Sequence, residues 1–311
     1  LSPGARYDGV FGIWYGKGPG VDRSGDVFKH ANGAGSAPCG GVIAIAGDDH
    51  AARSSTIAHQ SEQAFVPAAM PILAPSGVQD YLDLGLHGWA LSRYSGCWIG
   101  LKAVADTVES SAAVELDPAR VPIVMPADFV LPADGLNIRW PDDRLVLEAR
   151  LLDHKLGAAL AYCRANALNP IVIDSPDPKL GIVAAGKSYL DVRQALDLLG
   201  IDDRLANELG LRVVKVGMVW PLDAAGMRRF ATGLEPTQVQ ARIQWENGVD
   251  VYAALSARFG DADYVNSTSI RMHPRQEITF HGEAGVLRLP VPFNARVFGE
   301  ARLELQRGPE T

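Results

Sequence analysis

The sequence has little cysteine. Three thiols, Cys39, Cys97 and Cys163, are widely spaced in 311 residues, and no CxxC pair occurs. That excludes a zinc ribbon or an iron–sulfur ligand run within these residues. It fits reduced thiols in a cytosolic protein. No apolar run approaches the ~20 residues that a membrane span requires, and the start carries no signal-peptide pattern. No basic stripe or Lys/Arg run is present and the net charge is −7, so neither a nucleic-acid backbone nor a membrane is an expected partner. No Walker pattern surrounds any lysine. The first residue is Leu1 rather than Met, and an N-terminal part is expected to be missing.

What is present suffices for sizeable cores. With 47% hydrophobic and 21% charged residues, a chain of this length is expected to hold two domains. Its organising stretch runs from Gly9 to Phe65. A glycine-dense polar segment, Tyr15 to Cys39, reads as a loop where backbone approaches a ligand or another chain closely. It feeds the apolar run Gly41–Ala46, which ends abruptly in Gly47-Asp48-Asp49-His50. Such a run, followed at once by polar residues, reads as a buried strand that delivers a loop to a site. In open α/β sheets ligands sit at the carboxyl ends of the strands, so the functional site is expected here.

Several side chains of the stretch bear on chemistry. Arg23 stands out among the loop charges, because a guanidinium holds a carboxylate or phosphate in a bidentate pair. Asp48, Asp49, His50 and His59 offer oxygen and nitrogen donors, but their spacing matches no closed metal pattern, so no metal site is assigned. Ser54-Ser55-Thr56 suits either a cap on a helix that begins near Ala58 or a set of groups for an anion or cofactor. His59 and Glu62 fall one turn apart on that helix and can pair.

Further along, Val66 to Pro75 reads as a buried strand, Gly77 to about Arg93 as a helix, Cys97 to Val108 as a core helix, and Ser111 to Leu116 as a last strand. Trp89 and Trp98 read as packing residues. Prolines 118, 122, 126, 132 and 141 mark a linker. Leu152, Leu156, Ala159, Leu160 and Cys163 stripe a helix over about 145–166. Short strands at Ile171–Ile173, Leu180–Gly186 and Arg212–Val216 alternate with helices, a pattern expected of a small parallel-sheet domain. Lys187 before a helix hints at anion binding. From about Pro236, Val239, Ala241, Ile243 and Trp245 alternate with polar residues, and Asn247-Gly248 makes a hairpin. Further strands fit Asn266–Arg271, Glu277–His281 and Gly285–Leu289, and His273 and His281 read as solvent or packing residues.

The first stretch also resembles a known family. Trp14-Tyr15-Gly16-Lys17-Gly18-Pro19-Gly20-Val21-Asp22-Arg23-Ser24-Gly25-Asp26, Gly47-Asp48-Asp49-His50, Ser54-Ser55 and His59-Gln60-Ser61-Glu62 resemble the fused indolepyruvate:ferredoxin oxidoreductases. Leu180-Gly181-Ile182-Val183 with Gly186-Lys187-Ser188-Tyr189 resemble the same enzymes. The resemblance implies a thiamine-diphosphate enzyme with Mg²⁺ that decarboxylates aryl 2-oxo acids and passes electrons to ferredoxin through iron–sulfur clusters. It implies an α/β fold class: a partial pyrimidine-type thiamine-diphosphate domain over 1–116, a Pro-rich linker over 117–144, and a transketolase C-terminal-like parallel α/β domain over 145–234. Cofactor contacts are then expected at Asp49, His50, Ser54, Ser55 and Gln60, and a substrate contact at Arg23. No catalytic residue is assigned, since the glutamate that promotes ylid formation, the pyrophosphate and Mg²⁺ domain and the clusters belong to missing parts.

Residues 236–311, an antiparallel β-sheet segment, resemble instead the C-terminal half of glucose-fructose-oxidoreductase-like NAD(P)-dependent dehydrogenases. The resemblance rests on Arg275-Gln276-Glu277, Phe280-His281-Gly282-Glu283-Ala284-Gly285 and Val291-Pro292-Phe293-Asn294-Ala295. Their Rossmann domain and catalytic lysine are not here. Two incomplete families meeting near Gly233–Pro236 are expected of a spliced reading frame more than of a natural fusion. The expectation is an oxidoreductase fragment, cytoplasmic, homo-oligomeric and inactive alone. The alternatives are a sugar-dehydrogenase remnant and a non-catalytic module that dimerises through the C-terminal sheet.

Overall fold

In the computed structural model, residues 4, 6–52, 56–139, 142–233, 237–246, 249–259, 262–269, 277–282, 285–289, 302 and 304–307 are described. The chain falls into two compact units, Leu1–Gly233 and Leu234–Thr311.

The first unit opens with β1 (Phe11–Lys17), α1 (Gly18–Arg23), α2 (Gly25–Ala34), β2 (Gly41–Asp48), α3 (Glu62–Phe65), β3 (Ile72–Leu73), α4 (Val78–Ser95), β4 (Ile99–Val104) and α5 (Ala105–Val108). A long helix follows as α6 (Arg144–Arg150), a π-turn (Leu151–Lys155) and α7 (Leu156–Ala165). Then come β5 (Ile171–Asp174), β6 (Leu180–Ala185), α8 (Lys187–Leu198), α9 (Asp203–Leu209), β7 (Leu211–Val216), β8 (Met218–Trp220) and α10 (Ala224–Thr232).

The larger sheet runs β1-β2-β4-β3-β8. Its first four strands are parallel, and β8 joins antiparallel to β3. Buried-strand character explains β2: its residues are buried or half-buried throughout, as in a sheet covered on both faces. One layer, with α4 and α7, buries Ile43, Leu73, Leu91, Ile99 and Tyr162. The other, with α2 and α3, buries Phe28, Ala44, Phe65 and Ile72. The smaller sheet, β5-β7-β6, is mixed, with β6–β7 parallel and β5–β7 antiparallel.

Several expectations are corrected. Tyr15–Cys39 is not a loop: it supplies the end of β1 and then α1 and α2. Pro19 presets the first turn of α1, and burial of Val21 and Phe28, both fully enclosed, offsets what its glycines cost a helix. Cys97–Val108 is a strand and one helical turn, because β4 is buried along nearly its whole length and a continuous apolar run mimics a core helix. Ser111–Leu116 forms no strand. It is held instead by Gln79, which donates to the Glu115 carbonyl and accepts from its amide. Val66–Pro75 yields a 3₁₀ turn and only a two-residue strand, since Pro67, Pro71 and Pro75 cannot donate to a ladder. The helix placed near Ala58 begins at Glu62.

Within residues 117–139 a 3₁₀ turn at Pro118–Arg120 is followed by irregular chain that packs at its end: Leu136 is 1% exposed and the Ser36 carbonyl accepts from the Ile138 amide at 2.9 Å.

In the second unit, β9 (Thr237–Glu246), β10 (Val249–Phe259) and β11 (Ala262–Ser269) form one antiparallel sheet, and β12 (Ile278–Gly282), β13 (Gly285–Leu289) and β14 (Glu304–Arg307) another. Asn247-Gly248, Arg275-Gln276, His273, Glu283-Ala284 and Val291–Ala295 lie outside the described residues.

Candidate functional site

The carboxyl ends of β1, β2 and β4 meet at one edge of the larger sheet, where the parallel topology gathers the loops. Asp48, last in β2, is 2% exposed. Its carboxylate accepts from the Ser61 amide at 2.9 Å and the Ser61 hydroxyl at 2.6 Å. Lys102 Nζ lies 3.7 Å from it and also pairs with Glu62. A carboxylate–ammonium–carboxylate set therefore ties the end of β2, the start of α3 and the middle of β4. A buried carboxylate persists only when its lone pairs are met, as those of Asp48 are; Glu62 Oε2, in contrast, is buried without a hydrogen-bond partner among the described residues.

The next residue, Asp49, is also buried. Its carbonyl accepts from the Ala52 and His59 amides at 3.2 and 3.3 Å, which pinches the loop after β2 closed. His59 does not pair with Glu62 as expected: it lies before the helix, with Nε2 3.5 Å from Asp22. The imidazole sits so close over α1 that a Cβ at Gly18 would lie 2.1 Å from His59 Nδ1. Gly18 is thus required for close approach, within the element read as loop.

Two cavities open at this edge. One, of about 460 Å³, is bounded by His50, Glu62, Lys102, Asp106, the start of α8 at Gly186–Ser188, and Trp220. Ile72, Val104 and Val219 make its apolar wall. No side chain caps the first turn of α8; the Tyr189 amide donates to the Gly186 carbonyl at 3.0 Å, and the Lys187 and Ser188 amides ahead of it present the positive end of the helix dipole. Lys187 is bound to Asp191 at 2.7 Å, a hydrogen bond that raises its pKa. The second cavity, about 350 Å³, is lined by Lys17, Asp48, Asp49, Ala105 and Glu109 among others.

The residues expected at the site are thus distributed. His50 borders the larger cavity and Asp49 the smaller. Gln60 is exposed and accepts from Gln63 at 3.5 Å. Arg23 is exposed at the last turn of α1 and is not among the residues lining either cavity. Ser54 and Ser55 lie outside the described residues. Lys102 is the residue that sequence reading missed. A lone charge inside an apolar run marks a strand whose one polar group is used, and the helical reading of 97–108 hid it. Among the described residues, no group of three His, Cys, Asp or Glu is placed to hold a metal ion. Burial pushes the Cys97 thiol up to about 11 and the Cys163 thiol to about 12, so neither is a thiolate near neutrality.

With this geometry in hand, comparison with known proteins gives a consistent relationship. Residues 170–240 match the model of the indolepyruvate oxidoreductase domain. The chain is 25% identical over 249 residues to indolepyruvate oxidoreductase subunit IorA of Methanothermobacter thermautotrophicus, covering 78% of this chain and 37% of that protein. It is 24% identical over 213 residues to the same subunit of Archaeoglobus fulgidus, covering 66% and 31%. Among solved structures, 2-oxoglutarate:ferredoxin oxidoreductase from Magnetococcus marinus is similar with a TM-score of 0.43 and 13% identity, over 71% of this chain and 44% of that one. The match thus spans 37% of the length of the first of these relatives.

Proposed function

We propose that this chain, a relative of the indolepyruvate oxidoreductases, is a portion of an enzyme that oxidatively decarboxylates aryl 2-oxo acids with ferredoxin as electron acceptor. One observation carries the reading: the strand-end stretch that resembles the family and most of the segment matching its domain model, residues 170–233 of 170–240, belong to one compact unit. Thiamine diphosphate, when bound to the whole enzyme, would supply the carbanion stabilisation that decarboxylation needs. On this reading the groups that hold its diphosphate and Mg²⁺ lie in other parts of the enzyme. What these residues do is shape a cleft: Asp48, Lys102 and Glu62 fix its floor, Trp220 and Val219 exclude water from one wall, and His50, Asp49 and Gln60 stand on the loop that would meet the cofactor. Arg23 is the proposed contact for a substrate carboxylate. The working protein is a cytoplasmic homo-oligomer, and its iron–sulfur clusters lie in other parts.

The test is an amide-resolved NMR titration of the full chain with indole-3-pyruvate, and separately with NADP⁺. Indole-3-pyruvate is expected to shift the resonances of Lys102, Gly186 and Trp220. Shifts with NADP⁺ alone would overturn the reading in favour of a dehydrogenase remnant. A second reading, a dimerising module, is favoured by one observation: Val239, Ile243 and Trp245 lie exposed on β9. Sedimentation as a strict monomer would remove it.

A further inference from the structure

Lys155 is buried to 1% exposure and has no carboxylate within ion-pair distance among the described residues. It ends the π-turn that interrupts the helix of residues 144–165. π-Turns cost regular hydrogen bonding and recur where a side chain has a particular task. Here the turn delivers the ammonium to three carbonyl oxygens: Asn32 at 3.5 Å, Gly33 at 3.4 Å and Gly96 at 3.4 Å. The first two belong to the last turn of α2, and Gly96 is the left-handed residue that ends α4.

Two helix C-termini, each with a negative dipole end and orphan carbonyls, therefore converge on one point. They are already linked by the Ser36 amide, which donates to the Gly96 carbonyl at 3.0 Å. Gly35 keeps the space open, since a Cβ there would lie 2.7 Å from both Lys155 Nζ and the Gly96 oxygen. The side chain of Asn32 is committed elsewhere, to the Ala68 and Ala69 carbonyls and the Trp98 amide. No other cation reaches the junction among the described contacts. We propose that Lys155 is a tethered cation that caps the ends of α2 and α4 jointly, occupying a carbonyl pocket that would otherwise take a free ammonium ion. It fastens the helix layer that follows β1 to the layer that follows β3.

Hydrogen exchange at the Ser36 and Gly96 amides, followed by NMR on the full chain, tests this. In Lys155→Met, which keeps the apolar stem, both amides are expected to exchange at least about tenfold faster. In Lys155→Ala, methylammonium chloride is expected to restore their protection where sodium chloride at equal ionic strength does not. The unmodified chain needs no variant: one lysine side-chain nitrogen should give a slowly exchanging ammonium signal near neutral pH. Unchanged exchange in Lys155→Met, equal rescue by sodium, or the signal of a neutral amine would each overturn the assignment.

Discussion

Residues 1–233 and residues 234–311 both display regular hydrophobic patterning, yet it is used differently. In the first unit the apolar positions of β2 and β4 are enclosed between helix layers, and Ile72, Leu73 and Ile99 are fully buried. In the second, β9 alternates Val239, Ala241, Ile243 and Trp245 with polar residues as strictly as any strand. Even so, Val239, Ile243 and Trp245 remain 56%, 49% and 61% exposed. Alternation therefore establishes a strand and its register. Burial needs a covering layer, which β-α alternation brings along and a run of antiparallel strands does not.

That contrast can be broken by substitution, and the largest effect is expected in the first core. Phe28, fully buried and edge-on to Trp14 at 4.9 Å between ring centres, should lose about 3–5 kcal/mol on change to Ala. Ile243→Ala should stay within about 0.5 kcal/mol. Urea unfolding of both variants reads the difference, and equal losses would contradict it. Next comes Asp48→Asn, which leaves Lys102 with one carboxylate fewer and should cost about 2–3 kcal/mol by the same measurement.

A smaller and pH-dependent effect is expected where the two sheets of the first unit meet. Burial alone would raise the Asp80 pKa, but hydrogen bonds from Lys215 at 2.7 Å and from Ser76 outweigh it and leave it below its usual 3.8. A carboxyl depressed in the folded state stabilises above its unfolded pKa, and that contribution is lost as pH falls through the folded value. Asp80→Asn should thus be less stable than the parent at neutral pH, and the two unfolding curves should converge below about pH 3.8. A constant gap down to acid would show that Asp80 acts by shape alone. Finally, iodoacetamide should label exposed Cys39 and spare Cys97 and Cys163, whose thiols burial holds at about 11 and 12. Mass spectrometry showing rapid double or triple labelling would mean that the first core opens readily.

Much of this was legible from residue order. The strand Gly41–Ala46, the helices near 77–93 and 145–166 and the strands of the smaller sheet follow from apolar period and punctuation, and they lie where that pattern puts them. Two failures share a physical cause. A strand buried on both faces, such as β4, has no polar face to betray its period, so its sequence reads as a helix and hides Lys102. The glycines of 16–35 suggest a loop by local propensity, whereas the burial of Val21 and Phe28 that stabilises α1 and α2 is a tertiary effect. The pairing of Lys102 with Asp48 and Glu62, and the meeting of α8 with the end of the larger sheet, are tertiary facts with no local signature. Lys155 belongs with them: a lysine on an amphipathic helix reads as solvated, and only the π-turn turns it inward.

The proposed function makes residues 1–233 part of an oxidoreductase cleft that does not turn over by itself. The most direct test is a turnover assay of the full chain with indole-3-pyruvate, thiamine diphosphate, Mg²⁺ and ferredoxin, followed by ferredoxin reduction. No reduction above the protein-free rate is the predicted result. Thiamine-diphosphate-dependent reduction that grows with the concentration of this chain would contradict the account.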